Sequence, residues 1–326
     1  MQRRVILGAL VLLAGASFVL AIAVGSVAIE PNQLWQVLHG EDAGVGRTLV
    51  FELRAPRAAA AFVVGGMLAL AGALLQVLLR NPLADPYVIG VSGGAAVGAL
   101  LALLAGAGAA TMNGAAFTGA LGSMLLVFAL SRPGPSGVQR LLLTGVVLAA
   151  GWGACISLLL VVAPAAQVQG MLFWLLGDLS NTRHAGAGLV VLIAGLGVSI
   201  SLARALNVLA RGENTAAALG ENPARLRSIV YVVASLLTAV AVTLAGSIGF
   251  VGLIVPHLLR LVGLGDHRYL LPGASLLGGS LLVIADTLAR SIAAPIQLPV
   301  GILTALLGVP VFLFLLARNA QKVGGA

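Results

Sequence analysis

The side chains able to do chemistry in this chain are few, and their spacing excludes most of it. Lys322 is the only lysine and is followed by Val323, so no GxxxxGK[ST] loop exists to cradle a nucleotide phosphate. The chain cannot hydrolyse ATP alone. His39, His184, His257 and His267 are dispersed, and no HExxH, CxxC or paired metal-ligand spacing occurs, which disfavours membrane enzymology. Ion-coupled transport asks for ionisable groups in mid-membrane. Glu30, Glu41, Asp42, Glu52 and Asp178 fall at one set of span ends, and Asp85, Glu213, Glu221 and Asp266 at the other. Only Asp286 lies within an apolar run, four residues before Arg290, and that helix-face spacing favours an ion pair over a proton relay.

Those groups must be held by membrane-spanning elements. Hydrophobic residues make up 60% of the 326, charged residues only 9%, and the mean hydropathy is +1.10, the composition of a polytopic membrane protein. Apolar runs of spanning length lie near 5–28, 58–79, 88–110, 114–131, 141–163, 185–203, 228–247, 250–264, 270–289 and 300–317. The fold class is therefore an all-α integral membrane protein of about ten helices. The eighth run is short, and residues 166–176 are too brief to cross and read as re-entrant or interfacial. The first run, after MQRR, exceeds a signal-peptide core and reads as an uncleaved span. Threading from a cytoplasmic Met1 puts thirteen basic residues inside and five outside, in keeping with the positive-inside rule. The net charge of +8 is thus spread over helix ends, with no stripe for nucleic acid. Cys155 lies in an apolar run and reads as a structural thiol.

Two polar interruptions stand out. In RNPLADPYVIGVSGGAAVG, residues 80–98, Pro82 and Pro86 stop a helix and Arg80, Asn81 and Asp85 surface between two spans. The small residues that follow let helices approach closely or let backbone line a passage. The second interruption, residues 204–227, contains RGENTAAALGENPARLR. Asn214 is expected to cap a short helix over TAAAL, Gly220 to provide a left-handed exit, and Asn222-Pro223 to start the next helix. A rigid elbow that passes on a push from a docked partner and a merely solvated connector both fit this segment.

RNPLADPYVIGVSGG at 80–94, LRAPRA at 53–58, ALGENPARLR at 218–227, GSIGFVGLIVPHLLRLVGLGDHRYLLPG at 246–273 and LPVGILTALLGVPVFLFLL at 298–316 together resemble the iron-siderophore, haem and cobalamin permeases of the BtuC/FecCD type of ABC importer. The resemblance covers nearly the whole chain and implies a single transmembrane permease domain, 1–326, with a cytoplasmic coupling segment at 204–227. It implies a homodimer with two cytoplasmic ABC ATPase subunits, which bind the ATP and Mg, and one periplasmic substrate-binding protein. No cofactor is expected in this chain. The implied cargo is haem, a ferric siderophore or cobalamin, carried by alternating access. The implied setting is the bacterial inner (plasma) membrane, with both termini cytoplasmic.

Roles carried over by matching position follow from the same resemblance. Arg54, Arg57 and Arg290 match outward-facing arginines that meet acidic residues of the binding protein, with interfacial anchoring, or an Asp286–Arg290 pair, as the plainer reading. Asn81 and Leu83 match the inner turn that closes the path, and Val138 and Gln139 fall on the other constriction, although the cobalamin member has small hydroxyl residues there. Thr215, Ala217, Leu219, Gly220, Glu221, Asn222, Pro223 and Arg225 lie on the segment that couples to the ATPase. His257 is expected to hydrogen-bond a carbonyl freed by Pro256 rather than to hold haem, and Met171 and Trp174 to pack an interfacial helix, although with His184 they could touch cargo. A secondary transporter or channel working without an ATPase stays open at this point.

Overall fold

The computed structural model describes residues 2–40, 44–131, 137–180 and 185–323. After α1 (Gln2–Ala23) and α2 (Pro31–His39), α3 (Val45–Arg47) runs through a π-helical stretch, Thr48–Arg54, into α4 (Ala55–Leu78). The result is one rod of 34 residues, Val45–Leu78, whose apolar window is 89% buried. α4 is the hub, with α1, α9 (Gly186–Ser201), α12 (Pro223–Ala245), α13 (Val251–Leu261) and α14 (His267–Ala289) packed around it.

Glycine makes that hub possible. A methyl group added at Gly72 would overlap the Gly252 carbonyl oxygen, and one at Gly65 would overlap that of Gly278. Small residues let helix backbones meet where lipid offers no hydrophobic drive for association. A second layer, α5 (Val91–Leu104), α6 (Ala109–Leu130) and α7 (Gly137–Val162), packs on one flank, and α8 (Ala165–Leu175) rests on α5. α9 bends by 64° into α10 (Ala203–Leu209), α11 (Glu213–Ala218) leads into α12, and α15 (Val300–Val323) closes the chain against α13 and α14.

Among the described residues six helices are long and apolar enough to cross a bilayer: α1, α3–α4, α6, α7, α12 and α14. The bent pair α9–α10 and the shorter apolar helices Val91–Leu104, Val251–Leu261 and Val300–Phe314 fall on the remaining runs. Each of the ten expected runs thus falls on a helix, although among the described residues only six of these, or seven counting the bent pair, are long and apolar enough to cross. The apolar piece at 166–176 is α8, eleven residues long.

α5 and α13 are short because each is preceded by unwound chain. α13 rises only about 17 Å, against a hydrocarbon core of about 30 Å. It starts at the depth of Leu68 and Gly72 in α4, after the non-helical stretch 246–250. α5 follows the 3₁₀ turn Pro86–Ile89 and Gly90, which has φ +73°. The two unwound pieces satisfy each other. The Tyr87 hydroxyl donates to the Ile248 carbonyl at 3.0 Å and accepts from the Ile248 N–H at 2.8 Å. Non-helical backbone is tolerated at membrane depth only where protein provides such partners.

Candidate functional site

Two clusters at opposite ends of the helix bundle hold most of the polar side chains singled out above. The first is the elbow. Gly212 turns the chain at φ +122°, and α11 begins at Glu213. Asn214 is therefore an exposed helical residue and not the cap expected of it, because the glycine has already redirected the backbone. The exit follows the expectation. Gly220 has φ +84°, its N–H donates to Ala217 O and the Glu221 N–H to Ala216 O, both at 3.0 Å. A side chain with a Cβ is strained in that left-handed conformation even though open space surrounds it. Asn222 Oδ1 then accepts the Arg225 N–H at 3.1 Å, with Pro223 in the first turn of α12.

Arg227 closes the elbow by pairing with Glu213 at 3.1 Å. Ala216 points into the protein, whereas Thr215, Ala217, Leu219, Gly220, Glu221, Asn222 and Arg225 are exposed and Pro223 is half-buried. Leu219 is 65% exposed, a large apolar side chain at the tip of a braced turn. Behind it, Asn207 of α10 binds the start of α14: its amide donates to Asp266 Oδ1 at 2.8 Å, and its carbonyl accepts from the His267 N–H at 3.0 Å and faces His267 Nδ1 at 2.6 Å. Burial raises the Asp266 carboxyl, but hydrogen bonds from Asn207 and the Arg268 N–H, together with the charges of Arg268 and Arg3, outweigh it and hold the group below the usual carboxylate range.

The second cluster gathers Arg54, Arg57 and Arg290 about Asp286. Arg57 grips Asp286 bidentately, with Nε 2.9 Å from Oδ2 and Nη2 2.9 Å from Oδ1, and its Nη1 donates to Gln297 at 2.8 Å. Arg290 Nε stands 3.8 Å from Asp286 Oδ2, while its Nη2 donates to Ala21 O at 2.6 Å. Asp286 therefore takes its principal partner from α4, with the i,i+4 pair as the weaker half. Arg54 is 3% exposed and donates to the carbonyls of Ile22, Ala23 and Val27. The outward display expected of these three arginines is thus corrected for two of them: Arg54 and Arg290 turn inward because the end of α1 offers carbonyls with no helical partner. Arg57 alone of the three keeps an edge toward solvent.

At the turn after α4, Asn81 Oδ1 accepts the Leu83 N–H at 2.9 Å, the Asn81 carbonyl accepts from the Ala84 N–H at 3.1 Å, and Leu83 is 39% exposed. Asp85 Oδ1 accepts the Tyr87 N–H at 2.8 Å. Burial pushes the Asp85 carboxyl up to about 6, against the opposing pull of that N–H. α7 packs on the turn Pro86–Ile89, and Gln139 is exposed in its first turn. The Val138 side chain and His184 lie outside the described residues. His257 Nε2 is buried with no hydrogen-bond partner, contrary to the expected bond to a freed carbonyl: α13 continues through Pro256 without opening toward it. Met171 and Trp174 are buried packing residues. Among the described residues no group of His, Cys, Asp and Glu could hold a metal ion.

Gln297, Asn207 and Tyr87 escape sequence reasoning. Their partners are remote in the chain, and of the three only Tyr87, directly after Pro86, sits in a segment marked by its punctuation.

Comparison with known proteins gives these clusters a context. The model of the FecCD transport family matches residues 11–318. The chain is 44% identical over 274 residues to the cobalamin import system permease protein BtuC of Halobacterium salinarum, covering 83% of this chain and 73% of the relative. It is 37% identical over 340 residues to the hemin transport system permease protein HmuU of Yersinia pestis, covering 99% and 98%. A solved structure described as a metal-chelate type ABC transporter in an inward-facing conformation superposes with a TM-score of 0.84 at 32% identity, covering 97% of this chain and 99% of that one.

Proposed function

This chain belongs to the FecCD transport family, and from that premise we propose that it is the membrane-spanning permease subunit of an ATP-binding-cassette importer for a large metal chelate: haem, a ferric siderophore or cobalamin. The observation that carries the reading is the braced elbow, with Leu219 exposed at its tip, on a chain that has no phosphate loop of its own. Energy then enters through a partner at α11. Two ATPase subunits, with their ATP and Mg, dock on the elbows of a permease homodimer through Thr215, Ala217, Leu219, Gly220, Glu221, Asn222, Pro223 and Arg225. The elbow end accordingly faces the cytoplasm, together with both termini, in the inner (plasma) membrane.

The opposite end meets a periplasmic binding protein. Arg57 and Arg290 share the Asp286 carboxylate and Arg54 donates only to backbone carbonyls, so the cluster carries more positive than negative charge for acidic residues of that partner. Arg57 makes the contact, with Arg54 and Arg290 shaping the surface behind it. Asn81 and Leu83, with Val138 and Gln139 of α7, form the constriction on the cytoplasmic side, where a pair of Leu83 side chains across the dimer axis excludes water and Asn81 shapes the opening without a permanent charge. Asp286 is held bidentately by Arg57, which leaves it no part in a proton relay and disfavours ion coupling.

The cargo is tested with the assembled importer in vesicles, supplied in turn with cognate binding protein loaded with haem, a ferric siderophore or cobalamin. Saturable uptake of one of the three is expected. Transport of none of them would overturn the cargo class.

A further inference from the structure

We infer that Asn207 is a positioning residue that joins the elbow to α14 and so carries the state of the ATPase site to the arginine cluster at the far end of the bundle; this rests on the importer reading above. Three of its polar contacts land on two consecutive residues. The Asn207 amide donates to Asp266, and its carbonyl receives the His267 backbone N–H and faces the His267 ring. Asp266 in turn caps α14 by accepting the Arg268 N–H at 3.1 Å and lies 3.6 Å from Arg3 in the first turn of α1. The His267 side chain is buried, 3% exposed, so this knot is part of the interior.

From the knot, α14 runs unbroken to Ala289, and from His267 to Asp286 that is about 28 Å of helix. Along the way it is locked against α4 at Gly65–Gly278, where backbones touch and sliding would clash. At the far end Asp286 holds Arg57 of α4, and Arg290 holds the last turn of α1. α1, α4 and α14 are therefore fastened together at that end, while Arg3 ties α1 to the start of α14 at the other. The elbow joins this frame through α10. Asn207 lies in the second turn of that helix, five residues before Gly212 redirects the chain into α11. A push on α11 reaches α12, through the chain and the Glu213–Arg227 pair, and α10, and the Asn207 knot passes the share that reaches α10 to the start of α14.

The test uses the whole importer in nanodiscs, with spin labels placed in separate samples at Arg211 and at Ile292, both exposed, so that label pairs across the dimer report each end. In the wild type both distances should change when ATP is bound. Asn207→Leu, which keeps the branched shape and removes the hydrogen bonds, should retain the change at Arg211, lose it at Ile292, and lower the stimulation of ATP hydrolysis by the binding protein at least about fivefold, the smallest usual size of a coupling between sites. Gly220→Val should instead weaken ATPase association. If Asn207→Leu fails to insert, Asp266→Leu removes the acceptor for the Asn207 amide and the cap of α14, and is expected to give the same split between the two labels. An unchanged response at Ile292, with unchanged stimulation, in whichever variant inserts would overturn the inference. A wild-type complex that binds no ATPase would instead overturn the importer reading itself.

Discussion

At the scale of single residues, the arrangement around Asp286 decides how the far end of the bundle is held. One buried carboxylate faces the guanidinium groups of Arg57 and Arg290, with Arg54 spending its donors on the end of α1. Removing one partner of a buried pair leaves the other charge uncompensated, which is costlier than the pair is favourable. Asp286→Ala should therefore lower stability by about 3–5 kcal/mol, read as thermal unfolding in detergent, and Arg57→Leu on top of it should recover part of the loss. An unchanged melting temperature in the single variant would contradict the assignment. Asp85 gives a pH test. Its carboxyl, pushed up to about 6 in the folded protein, binds its proton more tightly there than in the unfolded chain. Stability is then greatest below the unfolded value of about 4, falls as pH rises through about 4 to 6 and is flat above. Asp85→Asn should lack that slope, so melting temperatures of the two proteins should diverge across the window. Parallel curves would place Asp85 in water.

At the scale of elements, the unwound pieces before α5 and α13 are the least conventional feature and the easiest to break. The Tyr87 hydroxyl satisfies both backbone groups of Ile248, which is 1% exposed. Tyr87→Phe keeps the ring and strands those groups, at a cost of about 1–3 kcal/mol, measurable as a drop in unfolding temperature with the fold intact. No drop would mean that other groups take over the bonds. The helices themselves are legible in the sequence because bilayer crossing demands long apolar runs. Less legible is the start of the second span: Arg47, Glu52 and Arg54 make residues 45–54 look like a loop, yet that stretch is helical because Arg54 finds carbonyls on α1. α2 escapes for a related reason, being short and mixed in polarity. In the elbow, Gly220 and Asn222-Pro223 act through local backbone geometry and can be read directly. Asn207 and Asp266, 59 positions apart, cannot. Nor can sequence spacing reveal that Asp286 prefers Arg57, 229 positions away, to its helix neighbour.

At the scale of the whole molecule, the bundle is a frame with a distinct polar cluster at each end. One end presents a braced turn with an exposed leucine, and the other an arginine cluster short of carboxylates. A protein so built can pass binding energy from one face to the other only if each partner prefers a different state of the dimer. The family match covers residues 11–318, and the superposition on an ABC transporter structure covers 97% of the chain. The most direct measurement is cargo uptake by vesicles containing the permease, with and without its partner ATPase, energised either by ATP on the ATPase side or by a proton or sodium gradient. The account predicts uptake that needs both the ATPase and ATP. Gradient-driven uptake by the permease alone would contradict it.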